Sequence, residues 1–352
     1  MRKKWLLLPI ALAALNLFPP EMLWAGSLPE LRSNPNLQSA APTNAEGIID
    51  QALGIATKAA TSQGGPSFSS LLDVGNSQLA SFLSKAKYDE RLPEWLRRVD
   101  IGARVGTGTG RYYIETVQPL WQTEDYSHTI FIQPRIKIQN DKGTYSAGLG
   151  YRKALLDNTV VLGVNTFYDY TDQDDHARVG GGAEILTRQL EFRWNIYEPT
   201  SNARLVENQA NGNRVFDTAV AGYDLELGGP APYFPDLKLY GKHQAWDFKA
   251  GKDLIRDGGR AELYLTSFLR IDAEAWYDSY VGGWAQRIGI VFRGDFGGSS
   301  GAVIRGAIAQ PYAPVDIKAM TLHRVVREFD IITERTTKTS AGTVTVSVSR
   351  GS

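Results

Sequence analysis

Charged and amide side chains alternate with apolar ones between residues 162 and 185, the densest polar pattern of the sequence. Six positions are separated by even numbers of residues within each of two consecutive segments. They are Asn165 and Asp169 in the first segment, and Arg178, Gly180, Gly182 and Glu184 in the second. A period of two places such residues on one face of a β-strand. Glycine within a strand often marks the close approach of another chain. Since buried charges are tolerated when they are paired, the pattern favours a wall that holds a partner segment through ion pairs.

The two segments are expected to form one hairpin around a turn at Asp172–Asp175. This turn sets Asp169 opposite Arg178. In the same register it sets Asn165 opposite Gly182. The acidic run also invites a calcium interpretation, but an EF-hand loop needs glycine at its sixth position and glutamate at its twelfth. Counting from Asp169 or from Asp172 finds neither, so we expect a solvated turn and no metal site.

Other candidate chemistry has little support in the sequence. The glycines of residues 106–110 are followed by Arg111 and lack the Lys-Ser/Thr of a phosphate-binding loop. His243 is a candidate for an outer-membrane hydrolase, yet no feature connects it with a nucleophile, and no Gly-x-Ser-x-Gly elbow occurs. The chain has no cysteine, which excludes disulfides and thiolate chemistry. We predict no catalytic residue, no cofactor and no metal.

Alternation of apolar and polar residues extends from Arg98 to Phe296 in segments of roughly ten residues. The run Leu190, Phe192, Trp194, Ile196 shows it most cleanly. Strands of this length, tilted by about 40°, span the hydrocarbon of a membrane. We predict twelve strands, near residues 98–107, 111–121, 129–138, 144–154, 158–170, 176–186, 188–198, 215–227, 236–246, 259–269, 271–279 and 283–294. The predicted fold is all-β, a twelve-stranded antiparallel transmembrane β-barrel.

The cost of charge in lipid predicts which face of each strand points inward. A Lys or Arg facing lipid at mid-bilayer costs about 2–4 kcal/mol, so Arg135 and Lys137 are expected to face the lumen. The same reasoning places further charged residues inside: Glu262, Arg270, Asp272 and Glu274. The long connections predicted at 199–214 and 247–258 belong on the outer side of the membrane, where barrels carry their longer loops.

The N-terminus has the layout of a secretory signal peptide, predicted as residues 1–25. Residues 26–97 are predicted to be a periplasmic region with short helices near 45–61 and 69–87. The barrel is assigned to 98–296, and 297–352 to a Gly/Ser hinge, a linker and a short surface tail. Equal numbers of basic and acidic residues, 38 of each, give no electrostatic footprint for nucleic acid.

The hairpin resembles the barrel domain of the inverse autotransporters, the intimin and invasin family. The family motif G-x-N-x-F-x-D-Y followed by H-x-R-x-G-x-G-x-E is matched throughout by Gly163, Asn165, Phe167, Asp169, Tyr170, His176, Arg178, Gly180, Gly182 and Glu184. Residues 324–335 resemble the linker that follows the barrel, and the whole resemblance covers about residues 92–337. It implies a linker that re-enters and plugs the lumen and leads a passenger to the cell surface. Arg324, Arg327 and Glu328 would then face the six wall residues of the hairpin.

The sequence departs from the family beyond the linker. Only about fifteen residues come after Thr337, too few for an adhesive domain. We therefore expect an outer-membrane anchor and translocator without a substantial passenger. A porin-like passive channel or structural barrel is the alternative. The expected partners are outer-membrane lipid, periplasmic chaperones and the barrel assembly machinery, with a possible homodimer and no nucleic acid.

Overall fold

The computed structural model describes residues 98–106, 110–140, 142–156, 159–265, 269–293, 308–312 and 320–339, and the backbone of 344–349. The predicted signal peptide, the two predicted N-terminal helices and the predicted hinge lie outside these residues. No helix long and apolar enough to span a membrane occurs in the part of the chain that is described.

The described chain is built from β-strands. In chain order they are β1 (Val99–Gly106), β2 (Arg111–Thr116), β3 (Gln118–Gln122), β4 (His128–Gln139), β5 (Lys142–Leu155), β6 (Val160–Thr171), β7 (His176–Thr187), β8 (Glu191–Pro199), β9 (Arg204–Asn208), β10 (Arg214–Ala219), β11 (Gly222–Ala231), β12 (Phe234–Trp246), β13 (Leu254–Tyr264), β14 (Leu269–Asp278), β15 (Gly283–Arg293), β16 (Thr333–Lys338) and β17 (Val344–Ser349).

Thirteen of these strands form one closed antiparallel sheet in the order β2-β1-β15-β14-β13-β12-β11-β8-β7-β6-β5-β4-β3, and β2 also pairs with β4. β2 and β3 are separated by Val117 and both lie against β4, so they occupy one position in the wall. The wall therefore has twelve positions and closes between β1 and β15. This confirms the predicted twelve-stranded antiparallel barrel.

Two predicted strands were placed wrongly. The predicted strand 215–227 is two strands, because β10 leaves the barrel after pairing with β9 and β16 in a second sheet, and only β11 belongs to the wall. The predicted strand 259–269 is β13, which begins at Leu254. Gly258 was taken for part of a loop, but it lies within β13, where a Cβ would come within 2.7 Å of the Cβ of Trp276. A glycine is therefore required at position 258 because β13 and β14 pack closely there.

The barrel has two distinguishable rims. The connections after β1, β4, β6, β8, β12 and β14 share one rim, here called the loop rim, and those after β3, β5, β7, β11 and β13 share the turn rim. The two longest connections, 200–221 and 247–253, both lie at the loop rim. The first contains the β9–β10 hairpin, which joins β16 and β17 in a four-stranded sheet of order β17-β16-β10-β9.

Burial alternates along the wall strands as the cost of charge in lipid requires. In β4, Arg135 and Lys137 are buried while Ile136 between them is exposed. Glu262, Arg270 and Asp272 are buried too, and Glu274 shares their face and is half-buried. The prediction that these charges point into the barrel is confirmed. The barrel interior is therefore lined by acidic and basic groups of several strands.

Candidate functional site

The β6–β7 hairpin has the predicted register. Asp169 lies opposite Arg178 and Asn165 lies opposite Gly182. The Nε of Arg178 donates to Asp169 Oδ2 over 2.8 Å, and both side chains are fully buried. A carboxylate and a guanidinium are thus held side by side on the inner wall, where neither meets bulk water.

Arg327, from the chain segment after the barrel, completes this group. Its Nη1 and Nη2 donate to the two oxygens of Asp169 over 2.9 and 2.8 Å. This parallel, two-bond geometry is the strongest form of a charge-assisted hydrogen bond. The guanidinium carbon lies 4.4 Å from the ring centre of Phe167 and 5.1 Å from that of Tyr197, within the range of cation–π attraction. The wall therefore binds the guanidinium of Arg327 through one carboxylate and two aromatic rings.

Gly180 leaves the space that Arg327 occupies. A Cβ at this position would lie 2.6 Å from Nη2 of Arg327, which is shorter than a van der Waals contact. Gly182 has a related role one pair further along the strand, where a Cβ would come within 2.4 Å of Oδ1 of Asn195. The two glycines of the sequence motif thus keep the wall thin at two neighbouring points.

Wall side chains also bind the main chain of residues 321–330. Arg178 donates to the carbonyl oxygens of Asp330, over 2.8 Å, and of Glu328. The amide of Glu328 donates to the hydroxyl of Tyr197 over 2.8 Å and to Asp224 over 3.1 Å. Buried backbone groups must find partners. In this segment side chains of the barrel supply them.

The same arrangement continues toward the turn rim. Gln133 exchanges two hydrogen bonds with the backbone of Val325, accepting from its amide over 2.7 Å and donating to its carbonyl over 3.2 Å. Asn195 donates to the carbonyl of Val326 over 3.1 Å. Arg152 donates to the carbonyls of Thr321 and His323. The segment is therefore contacted from β4, β5 and β8 as well as from the hairpin.

Further ion pairs link the segment to other wall strands. Arg324 pairs with Glu262 and lies 3.6 Å from Glu115. Asp330 pairs with Arg111 and with Lys137, the latter over 2.7 Å. The segment thus supplies a cation to wall carboxylates at Arg324 and a carboxylate to wall cations at Asp330, and these buried charges are paired.

Three apolar clusters hold the segment at different heights. Met320 packs with Ala154, Val161 and Leu186, beside the turn-rim ends of their strands. Val325 packs with Val117, Phe131 and Phe167. Ile332 packs with Tyr197, Val220, Trp246, Phe248 and Leu254, beside the loop rim. Beyond Ile332 the chain enters β16, which pairs with β10.

Some of the predicted wall residues contact the predicted linker residues directly, and others do not. The structure brings together Asp169 with Arg327, Gly180 with Arg327, and Arg178 with the backbone of Glu328. Glu184 reaches the segment through another residue. Glu184 accepts from Nε of Arg152 over 2.7 Å, and Arg152 then binds the segment. A Cβ at Gly182 would meet the side chains of Asn195 and Asn165.

Several residues of the site were not singled out from the sequence: Arg152, Gln133, Asn195, Tyr197, Asp224 and Asp330. Each of the first five shares the inward parity of its strand, which was the available signal. Parity does not say which inward side chains reach the segment, because that depends on how the wall curves. Among the described residues, no group of three or more His, Asp or Glu side chains is arranged to hold a metal ion.

A closed antiparallel wall with outward apolar and inward charged faces defines an outer-membrane β-barrel. The family model for the inverse autotransporter β-domain matches residues 71–260, more than half of the chain. The chain belongs to this family, and the bacterial outer membrane is its location. The family is not an enzyme family.

Individual relatives are more distant. A putative attaching and effacing protein homolog of Escherichia coli K12 is 26% identical over 161 residues, 44% of this chain and 52% of the relative. The chain thus spans about half the length of that curated relative. A solved structure from a study of the in-meso crystallization of membrane proteins aligns with a TM-score of 0.53 at 16% identity, over 68% of this chain and 99% of the other, and this shows the fold alone. The KdgM porin aligns more loosely, with a TM-score of 0.37 at 7% identity over 55% of this chain and 97% of the porin.

Proposed function

We propose that this outer-membrane barrel anchors the chain and threads its own C-terminal linker, within residues 297–352, through the lumen to the cell surface. The supporting observation is the unbroken series of contacts made by residues 320–332. They begin with Met320 at the turn rim and end with Ile332 at the loop rim. Thirteen extended residues reach at most about 43–47 Å, enough to cross a bilayer core of roughly 30 Å.

The loop rim is the outer side in this proposal. Outer-membrane barrels carry short turns on the periplasmic side and longer loops outside, and the two longest connections share the loop rim. β16 pairs with β10 at that rim, so the linker emerges beside the β9–β10 hairpin. The predicted helical region 26–97 would then stay in the periplasm with the other end of the barrel.

The ion pairs explain why a threaded linker would stay in place and plug the lumen. Arg324, Arg327 and Asp330 each find an opposite charge on the wall. Breaking a buried pair by removing one partner costs about 3–5 kcal/mol, because the remaining charge is left uncompensated. Withdrawal of the linker would expose several such groups at once. Threading in this way needs no nucleotide and no cofactor.

The partners of the chain are inferred from the same proposal. Lipid would contact the outward apolar face of the wall. Periplasmic chaperones and the barrel assembly machinery would insert the barrel. Homodimerisation stays a prediction, and no nucleic-acid partner is proposed. One relative is a putative attaching and effacing protein homolog. For this chain we propose the anchor and translocator role of that class.

The proposal is tested by an epitope tag placed after Ser352 in intact cells. Antibody or protease should reach the tag while the outer membrane is sealed. A tag in the 247–253 connection serves as the exposed control, and one in the turn after Thr187 as the protected control. A C-terminal tag that behaves like the protected control would overturn threading.

The alternative, a porin-like passive channel or structural barrel, needs the linker to leave the lumen open. Purified protein in a planar bilayer separates the two, because a threaded barrel should conduct little and an open one should conduct steadily. The same preparation tests for hydrolysis of phospholipid or other esters, which the proposed anchor does not perform.

A further inference from the structure

A cluster of charged groups at the loop rim joins three parts of the chain. Asp174 belongs to the β6–β7 turn, Asp217 to β10 and Arg335 to β16. Asp217 and Arg335 are directly opposite each other in the β10–β16 register. Nη2 of Arg335 lies 3.3 Å from Asp217 Oδ2 and 3.9 Å from Asp174 Oδ2. One guanidinium thus holds two carboxyl groups from different elements.

The two carboxyl groups are neighbours, because Oδ2 of each lies within 4 Å of the same Nη2 of Arg335. Asp217 is buried, and its Oδ1 has no hydrogen-bond partner although Oδ2 accepts from Arg335. Two ionised carboxylates can only accept hydrogen bonds, whereas a protonated carboxyl group donates one. A proton on Asp174 therefore supplies the donor that Oδ1 of Asp217 lacks. Without that proton, two negative charges share the single positive charge of Arg335 at the rim.

The charged neighbours of Asp174 and of Asp217 differ. Asp217 accepts a hydrogen bond from Arg335 on β16, which compensates its charge, and lies opposite Arg204 of β9 in the register. Burial, and next the neighbouring Asp217 carboxylate, raise the pKa of Asp174 above its ordinary 3.8. The other titratable or charged groups around the pair are Asp172 and Asp175 of the same turn, His176 of β7, Glu207 of β9 and Lys142 of β5.

We propose that Asp174 and Asp217 form a proton-operated latch, which fastens the emerging β16 strand to the barrel rim when Asp174 is protonated and loosens it when Asp174 is ionised. The inference goes beyond the proposed function, because it concerns contacts among the rim turn, β10 and β16. Since the group with the raised pKa is Asp174, the stabilisation is complete below the ordinary pKa. It is lost as the pH rises through the raised value.

Hydrogen–deuterium exchange of the full-length protein in lipid or detergent tests the latch. The amides of β16, corrected for the intrinsic pH dependence of exchange, should be more protected at about pH 4.5, just above the ordinary Asp pKa of 3.8, than at neutral pH. The change should be less than about tenfold for each unit by which the pKa of Asp174 is raised, because proton uptake is incomplete at pH 4.5. D174N should remove the pH dependence and keep the acid-state protection, because its amide donates at every pH.

D175N is the matched control, since Asp175 lies in the same turn but accepts from the hydroxyl of Tyr170. It should retain the wild-type pH dependence. A wild-type protein whose β16 protection does not change with pH would overturn the latch. So would a D174N variant that keeps the wild-type profile. These outcomes are independent of the C-terminal tag, whose exposure reports threading and not the strength of the rim contact.

Discussion

Asp169 of β6 holds two guanidinium groups at once, that of Arg178 from the neighbouring strand and that of Arg327 from the segment after the barrel. All three side chains are almost completely buried. The three side chains carry a net charge of plus one, so the carboxylate of Asp169 is what compensates the two guanidinium groups. Removing Arg327 leaves a neutral pair, whereas removing the charge of Asp169 leaves two cations side by side.

This asymmetry predicts an order of stability. D169N should lower the free energy of unfolding by about 3–5 kcal/mol, the usual cost of an uncompensated buried charge. R327M should cost less, about 1.5–3 kcal/mol, because it removes hydrogen bonds to a charged group but leaves Asp169 paired with Arg178. Denaturant unfolding of the purified barrel in detergent measures both. An R327M variant less stable than D169N would contradict the pairing described.

Gly180 should tolerate a methyl group poorly because of Arg327. G180A places a Cβ 2.6 Å from Nη2 of Arg327, and such overpacking costs about 1–3 kcal/mol. Gly241 is the matched control, since its nearest neighbour would be 3.9 Å from an added Cβ. G241A should change the unfolding free energy by less than about 0.5 kcal/mol, as isolated surface changes do.

The same contact predicts non-additivity. In an R327M background the planar guanidinium is gone, so G180A should lose most of its cost. Contacting residues typically couple by about 0.5–3 kcal/mol. Equal effects of G180A in the two backgrounds would show that Gly180 is needed for the strand itself and not for Arg327.

The hairpin was predictable from sequence because its signals are local. Asp169 and Arg178 follow the two-residue period of the strands, and the four-residue turn between them fixes their register. The inward direction of Arg135 and Lys137 followed from the cost of charge in lipid. These inferences need only the strand pattern and the nature of the solvent.

The features that were missed depend on three-dimensional context. β10 has the same alternation as a wall strand, and nothing in its own residues shows that it pairs with β16 outside the barrel. Gly258 looks like a loop residue until the backbone of Ala275 and Trp276 in β14 is placed beside it. Asp330 was not recognised because its partners, Arg111 and Lys137, lie about two hundred positions away along the chain.

The β10–β16 pairing can be tested by an engineered disulfide, because the natural chain has no cysteine. Phe216 and Thr336 are direct cross-strand partners, and directly opposite strand residues lie within the distance that a disulfide bridges. F216C/T336C should therefore oxidise in intact cells and shift on a non-reducing gel. F216C/T337C is the control, since a one-residue slip points the second thiol to the other face. Similar oxidation of both pairs would argue against this register.

The linker contacts also predict electrical behaviour. Wild-type protein in a planar bilayer should show little conductance. The triple variant R324A/R327A/D330A removes the charges that meet Glu262, Asp169 and Lys137, and it should open more often and conduct more. Steady porin-like conductance of the wild type, unchanged in the variant, would contradict a linker held by these pairs.

Cysteine labelling at both ends of residues 320–332 tests most directly whether this segment crosses the barrel from one side of the membrane to the other. The first variant, A309C, changes an exposed residue of the 308–312 segment. The backbone of this segment is hydrogen-bonded to that of Tyr233 at the turn rim. The second variant, T339C, changes the residue that follows β16. A maleimide polymer too large to pass porin channels is added to intact cells. We predict that residues 320–332 cross the barrel, so that T339C is labelled at once and A309C only after the outer membrane is opened. Labelling of both from outside, or of neither, would contradict it.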